Sequence, residues 1–206
     1  MQFNKIIIAA TLAVTAIISP AAAAADTRSA TDQNSQLTQA KFLTQEIMSG
    51  HRSQKSLTPS QRSLLKQYTT PGEMRVTRTP SSLPVKATTR SAEYCRKDGA
   101  HFEQKALLGN TLYTYWQTVE ICGAPGVKIH DVKVIDSGGE TKTPTWSYGG
   151  QASPPASYPV GDGWYVRTSE NFSQKIIVDN IGAGQRTVCI SADIQPTGEY
   201  HASDRC

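Results

Sequence analysis

The clearest pattern in the chain is an alternation over residues 112–122. It puts Tyr113, Tyr115, Gln117, Val119 and Ile121 on one side and Leu112, Thr114, Trp116, Thr118, Glu120 and Cys122 on the other. A period of two marks a strand, and aromatic and β-branched residues suit its pleated surface. The turn Gly123-Ala124-Pro125-Gly126 follows. Residues 127–136, with Val127, Ile129, His130, Val132, Val134 and Ile135 as apolar content, then predict a return strand and so a hairpin. Further candidate strands are residues 143–148, 163–168, 174–179, 187–195 and 199–202. Turn chemistry separates them at Ser137-Gly138-Gly139, Gly149-Gly150, Pro154-Pro155, Gly161-Asp162-Gly163, Gly182-Ala183-Gly184 and Pro196-Thr197-Gly198. Short strands with no helix-length run between them predict an all-β domain, an antiparallel β-sandwich with a small barrel as the alternative.

Before residue 77 the period changes. Leu37, Ala40, Leu43, Ile47 and Met48 fall within one helical arc of about 140°, and Gly50 follows as a stop. A second short helix starts at Thr58-Pro59-Ser60-Gln61: Thr58 caps, Pro59 suits the first helical position, Gln61 reaches back, and Leu64, Leu65 and Tyr68 form the apolar stripe. Neither is long enough to stand alone in water. They pack on the core, pair with each other, or stay largely disordered until something binds. Residues 77–91, with Pro80, Pro84 and many Ser/Thr, read as an extended linker. The organisation expected is a leader over 1–25, a basic arm over 26–76, the linker, and a β domain over 92–206.

The leader has Lys5, an apolar run over residues 6–18, Pro20 and a small-residue run ending at Ala25, where cleavage is expected. Outside it no stretch is apolar for the eighteen or so residues a membrane span needs. The expected location is therefore extracellular, or periplasmic where the source has an outer membrane. Export makes Cys95, Cys122, Cys189 and Cys206 candidate disulfide partners. Sequential pairing, Cys95 with Cys122 and Cys189 with Cys206, is narrowly preferred over Cys122 with Cys189 and Cys95 with Cys206. No Cys/His spacing suits zinc, and no cofactor motif is present.

Charge divides the mature chain. Residues 26–90 hold ten Lys/Arg against four Asp/Glu and two aromatics, Phe42 and Tyr68, whereas residues 91–206 hold ten against thirteen and twelve aromatics. A basic arm suits an anionic surface; the plainer reading is a solubilising spacer or a pro-segment removed after Arg90. Nucleic acid is a poor partner, because the basic part lacks aromatics on which bases would stack.

The succession Trp116, Ile121-Cys122-Gly123, Gly126-Val127-Lys128-Ile129, Trp146-Ser147-Tyr148-Gly149-Gly150, Ile194 and Gly198-Glu199-Tyr200 resembles small secreted proteins common in actinobacteria. The resemblance spans about residues 95–203. It implies export and an all-β domain and supplies no catalytic residues.

Of the histidines His51, His101, His130 and His201, only His130 has an adjacent carboxylate, Asp131. Neighbours on a strand point to opposite faces, so the two do not form an orienting pair, and His130 reads as a partly buried strand residue. Glu120 with Asp131 or Asp136 is a candidate acid and base pair facing across the hairpin. Trp146, Tyr148, Tyr158, Trp164 and Tyr165 lie in or beside the Gly/Pro-rich stretch 147–163, where loops would present flat rings to a sugar or peptide. The competing reading places Trp146 and Trp164 in the core. The preferred function is a secreted, non-catalytic binding module for a protein or carbohydrate at the cell surface. The alternatives are a secreted glycosidase-like hydrolase, and a protease inhibitor whose residues 151–158, stiffened by Pro154, Pro155 and Pro159, form a disulfide-held loop.

Overall fold

In the computed structural model, residues 20–79, 94–123, 129–176 and 184–206 are described, with side chains from residue 30 onward. The chain divides into two compact units, residues 1–35 and residues 36–206. Helix α1 (Pro20–Met48) begins in the first unit and ends in the second, which contains every other element.

Two antiparallel four-stranded sheets form the body. Sheet A is a meander of β1 (Pro71–Thr79), β2 (Tyr94–Ala106), β3 (Thr111–Gly123) and β4 (Ile129–Thr141). Sheet B is a second meander of β5 (Trp146–Val160), β6 (Gly163–Gln174), β7 (Gln185–Ile194) and β8 (Tyr200–Ser203). The sheets do not close, so the sandwich is realised and the barrel is not.

Of the residues 112–122, Tyr113, Tyr115, Val119 and Ile121 enter the core as assigned, with Phe102, Trp146, Val166, Phe172, Ile190 and Ile194, but Leu112, assigned to the opposite side, is in the same core, and Thr114 and Cys122 are buried too. Tyr113 stacks on Phe172 across the sheets, ring centroids 4.2 Å apart. Gln117, also inward, is fully satisfied. Its amide donates to Thr168 Oγ1 (3.1 Å) and the Ile190 carbonyl (3.3 Å), and its Oε1 accepts from the Tyr200 hydroxyl (2.9 Å). Such a bridge fixes sheet A against sheet B, since a buried amide left unpaired would cost about 1–3 kcal/mol. A second bridge joins Arg96 to the Gly198 carbonyl. Gly198 has φ +90°, and a Cβ there would meet Arg96 Nη2 at 2.8 Å. Beside it, burial raises the Asp98 carboxyl above the ordinary value, with Arg96 opposing the rise from 3.8 Å.

Several strands run through segments read as turns or loops. Ser137-Gly138-Gly139 continues β4. Gly149-Gly150 and Pro154-Pro155 lie within β5, whose register shifts three times against β6. As an edge strand it leaves prolines nothing to donate on its open side. Residues 151–158 are therefore a paired edge strand and not a disulfide-held loop. β6 runs on past the expected 163–168 to Gln174, whereas of the strand expected over 174–179 only Gln174 is part of a strand, Lys175 and Ile176 are not, and residues 177–179 lie outside the described residues, as do the turn residues 124–126 and most of the expected linker. Residues 71–79, assigned to the arm and linker, are β1, paired with β2 from Pro71↔Ala106 to Thr79↔Gly99.

Both disulfides take the sequential pairing. Cys95 stands directly opposite Cys122 in the β2–β3 register, while Cys189–Cys206 ties the C-terminus to β7. Loops of these lengths give roughly 3–4 kcal/mol per bridge in the chain-entropy model.

Within the second unit, residues 36–48 of α1 and helix α2 (Pro59–Thr69) are docked. Helix α2 opens with the capping box read from sequence: Gln61 N–H donates to Thr58 Oγ1 (3.3 Å) and Thr58 N–H to Gln61 Oε1 (3.0 Å). At its other end the last four carbonyls, which lack partners within a helix, all accept hydrogen bonds. Lys66 O accepts from Thr70 N–H, Gln67 O from Leu108 N–H, Tyr68 O from the Asn110 amide and Thr69 O from the Trp146 indole. Leu43, Leu57, Leu65 and Ile176 make one apolar cluster, and Ala40, Tyr68 and Leu108 another.

Gly139 faces inward opposite Tyr115, and a Cβ there would lie 2.5 Å from Phe172 Cζ and 3.0 Å from Tyr148 Cε2. Both rings would have to move within a packed core. Gly139→Ala is therefore expected to lower stability by about 1–3 kcal/mol, read as a shift in the urea midpoint with unchanged slope; an unshifted midpoint would contradict this packing.

Candidate functional surface

The structure separates the five aromatics singled out in the sequence. Trp146 is 3% exposed, packs on Tyr113 and spends its indole N–H on Thr69, so it is a core residue and offers no ring to a ligand. Trp164 is part-buried and packs against the same core. Tyr148 lies on the same side of edge strand β5 as Phe172 does of β6, keeps 38% of its surface exposed, and donates to Glu170 Oε2 at 2.5 Å. Burial, assisted by that carboxylate, pushes its phenol up to about 12. Only Tyr158 and Tyr165 meet on an outer face. They stand opposite each other in the β5–β6 register with ring centroids 5.3 Å apart, in a row continued by Asp193 and His201.

The carboxylates do not face one another. Glu120 stands opposite Lys133 and Lys97, Asp131 opposite Cys122 and Asp136 opposite Thr118. Asp131 is ion-paired to Lys133 at 2.6 Å, and Asp136 accepts from the Trp116 indole at 2.9 Å. His130 is exposed, where a partly buried position was expected. His51 Nδ1 is bonded to Ser49, and His201 lies 3.3 Å from Glu199. Glu120 lies close to Cys95 and Cys122, but the disulfide leaves those sulfurs without the thiolate that metal binding needs.

A more pronounced feature lies on the outer face of sheet A. The register aligns Thr77, His101, Trp116 and Gly138 in one row across β1 to β4, with Thr118 and Asp136 in the next. A Cβ built on Gly138 would have Trp116 Cζ2, Cε2 and Cη2 at 3.0, 3.4 and 3.5 Å. Three neighbouring ring atoms at such similar distances describe a ring lying over the backbone, not one directing its edge at it. The hydrogen bond to Asp136 fixes the ring's rotation. His101 lies nearly parallel to it, 12° between planes and 6.4 Å between centroids. At that separation parallel rings are offset by most of their width, so they extend one surface. Along the same face, the Glu140 carboxyl is held below its ordinary value by the hydrogen bond from Lys142, with the His101 charge adding to it.

The sequence placed Trp116 on the side of β3 opposite the core tyrosines, and that alternation is the signal pointing to it. Reading Gly138 as a turn hid the ring's seat. Together the fold and this surface define a two-sheet antiparallel sandwich carrying a part-exposed aromatic shelf on an open sheet face. Comparison of the chain with protein-family models, curated proteins and solved structures finds no match.

Proposed function

We propose that the protein acts, after export, as a non-catalytic binding module that takes a sugar ring of a surface polysaccharide on the Trp116 shelf. The observation that carries this reading is the Trp116 ring laid over Gly138 and pinned by Asp136. A flat ring held in this way loses little rotamer freedom on binding, and its π face suits the C–H face of a pyranose. Asp136 and Thr118 in one adjoining row and Glu140 in the other stand to meet hydroxyls, the few polar groups beside an apolar platform that orient a ligand. Export is supported by the leader residues and by two formed disulfides, which persist in oxidising compartments. Among the described residues no helix is long and apolar enough to cross a membrane.

Trp116→Ala is expected to reduce retention on insoluble envelope polysaccharide about tenfold with an unchanged melting temperature, while Tyr158→Ala leaves retention as it was. If Trp116→Ala bound as tightly as the parent, the shelf would not be the site.

A further inference from the structure

An open groove of about 540 Å³ lies between α1 and the connection from β4 to β5. Its wall from α1 is Lys41, Gln45 and Met48; Tyr68 of α2 contributes its floor, and Lys142 and Pro144 close the other side. Three features set its chemistry. Its volume lies in the range of about 300–1,000 Å³ that small-molecule sites occupy. Its apolar part rests on Met48, which keeps 45% of its surface exposed, an unbranched, adaptable side chain that moulds to a flexible chain more readily than to a rigid ring. The charged groups lining it are lysines, with no carboxylate among them. Lys142 is paired to Glu140 on the adjoining sheet face, and Lys41 makes no ion pair among the described residues.

We propose that this groove binds a free single-chain carboxylate, a fatty acid of medium length, with the alkyl chain laid along Met48, Pro144 and the Tyr68 ring and the head group held by Lys41 and Lys142. Lys41 supplies charge complementarity for one anion, with Lys142 joining it in exchange for its pair with Glu140, and the apolar surface of Met48, Pro144 and Tyr68 supplies the burial that a small hydrophilic anion would not use. The groove shares no lining residue with the Trp116 shelf, although the Lys142–Glu140 pair links the two; Trp116→Ala should therefore leave decanoate binding unchanged while lowering retention on polysaccharide.

The test is titration of the full mature chain with decanoate and, as an uncharged control, decanol, followed by the methyl signal of Met48 in a methionine-labelled sample. Decanoate is expected to shift Met48 and leave Met74 in place. Changing Lys41→Gln together with Lys142→Gln should weaken decanoate about tenfold without altering decanol, since each exposed charge contact is worth up to roughly fivefold. Met48→Asp should remove binding of both. Equal affinity for decanoate and decanol in the parent would overturn the proposal. So would an unmoved Met48 signal at saturation, or capture by phosphatidylglycerol vesicles with no binding of free decanoate.

Discussion

Raising the pH above 10 is expected to unfold the sandwich abruptly, with tyrosine ionisation and loss of strand signal occurring together. Tyr68, Tyr113, Tyr115 and Tyr200 are each buried to within 4% of complete, and burial raises the pKa of every one of these phenols. Tyr113 goes up to about 12, Tyr115 and Tyr200 go higher still, and Tyr68 shifts upward against a lowering hydrogen bond with Thr143. Because the folded values lie above the unfolded value near 10, the folded state holds these protons more tightly. Their contribution is complete below pH 10 and is lost as pH climbs through the folded values. Each strongly shifted phenol takes away about 1.4 kcal/mol per pH unit in that window, so Tyr113, Tyr115 and Tyr200 acting together remove about 4 kcal/mol per unit. A domain of this size holds about 5–15 kcal/mol in total, and stability at the lower end of that range is lost within one to two units. Rapid pH jumps that leave the disulfides intact, read by tyrosinate absorbance and far-ultraviolet circular dichroism, would check this. A smooth titration centred near 10 for all tyrosines with strand signal intact would contradict the packing.

The same tyrosines show how far the sequence could be read. Residues 113–121 alternate closely enough that the facing of β3, and with it the outward position of Trp116, was legible, although Leu112, Thr114 and Cys122 on the other side are buried as well. β2 was not. Its inward positions are Arg96, Asp98, Ala100, Phe102, Gln104 and Ala106, and three of those six are polar or charged. They are tolerated inside because Arg96 meets Asp98 and Gly198, and Gln104 donates to the carbonyls of Gly72, Glu73 and Lys105. Those partners lie up to a hundred residues away, and no local pattern announces them. Gly138 and Gly139 read as a turn because two glycines usually bend a chain. Here they sit in a strand because Trp116 occupies the space above one and Phe172 the space beside the other. The absence of two side chains is the signature of two rings supplied by other strands.

For the proposed binding surface the consequence is specific. Aromatic content near Gly/Pro-rich sequence pointed to loops, whereas the rings are set on strands: Tyr158 and Tyr165 on sheet B, His101 and Trp116 on sheet A. Side chains on paired strands are held more rigidly than on loops, and a pre-ordered platform loses less entropy when a ligand arrives. The face also combines its rings with carboxylates engaged in hydrogen bonds or ion pairs, Asp136 with Trp116, Asp131 with Lys133 and Glu140 with Lys142.

A chain beginning at residue 71 is expected to lose most of its cooperative stability relative to one beginning at residue 26, so the N-terminal segment is no detachable arm. Residues 40, 43, 57, 65 and 68 are all buried there, at most 4% exposed. Removing them would uncover Leu108 and Ile176 and strip the hydrogen-bond acceptor from the Trp146 indole inside the core. Truncation of a single buried leucine of this kind costs about 2–5 kcal/mol, so Leu65→Ala alone should be readily visible as a lowered denaturation midpoint. Loss of the whole segment should leave a protein that melts broadly or aggregates. Trimming after Arg90 would be more severe, since β1 would go as well and expose the β2 edge of sheet A to pairing with other chains. Denaturation of the two chains in urea, compared with Leu65→Ala, decides the matter. Coincident midpoints for the chains starting at 26 and 71 would return the segment to the role of a spacer, because the helices would then be resting on the sandwich without supporting it.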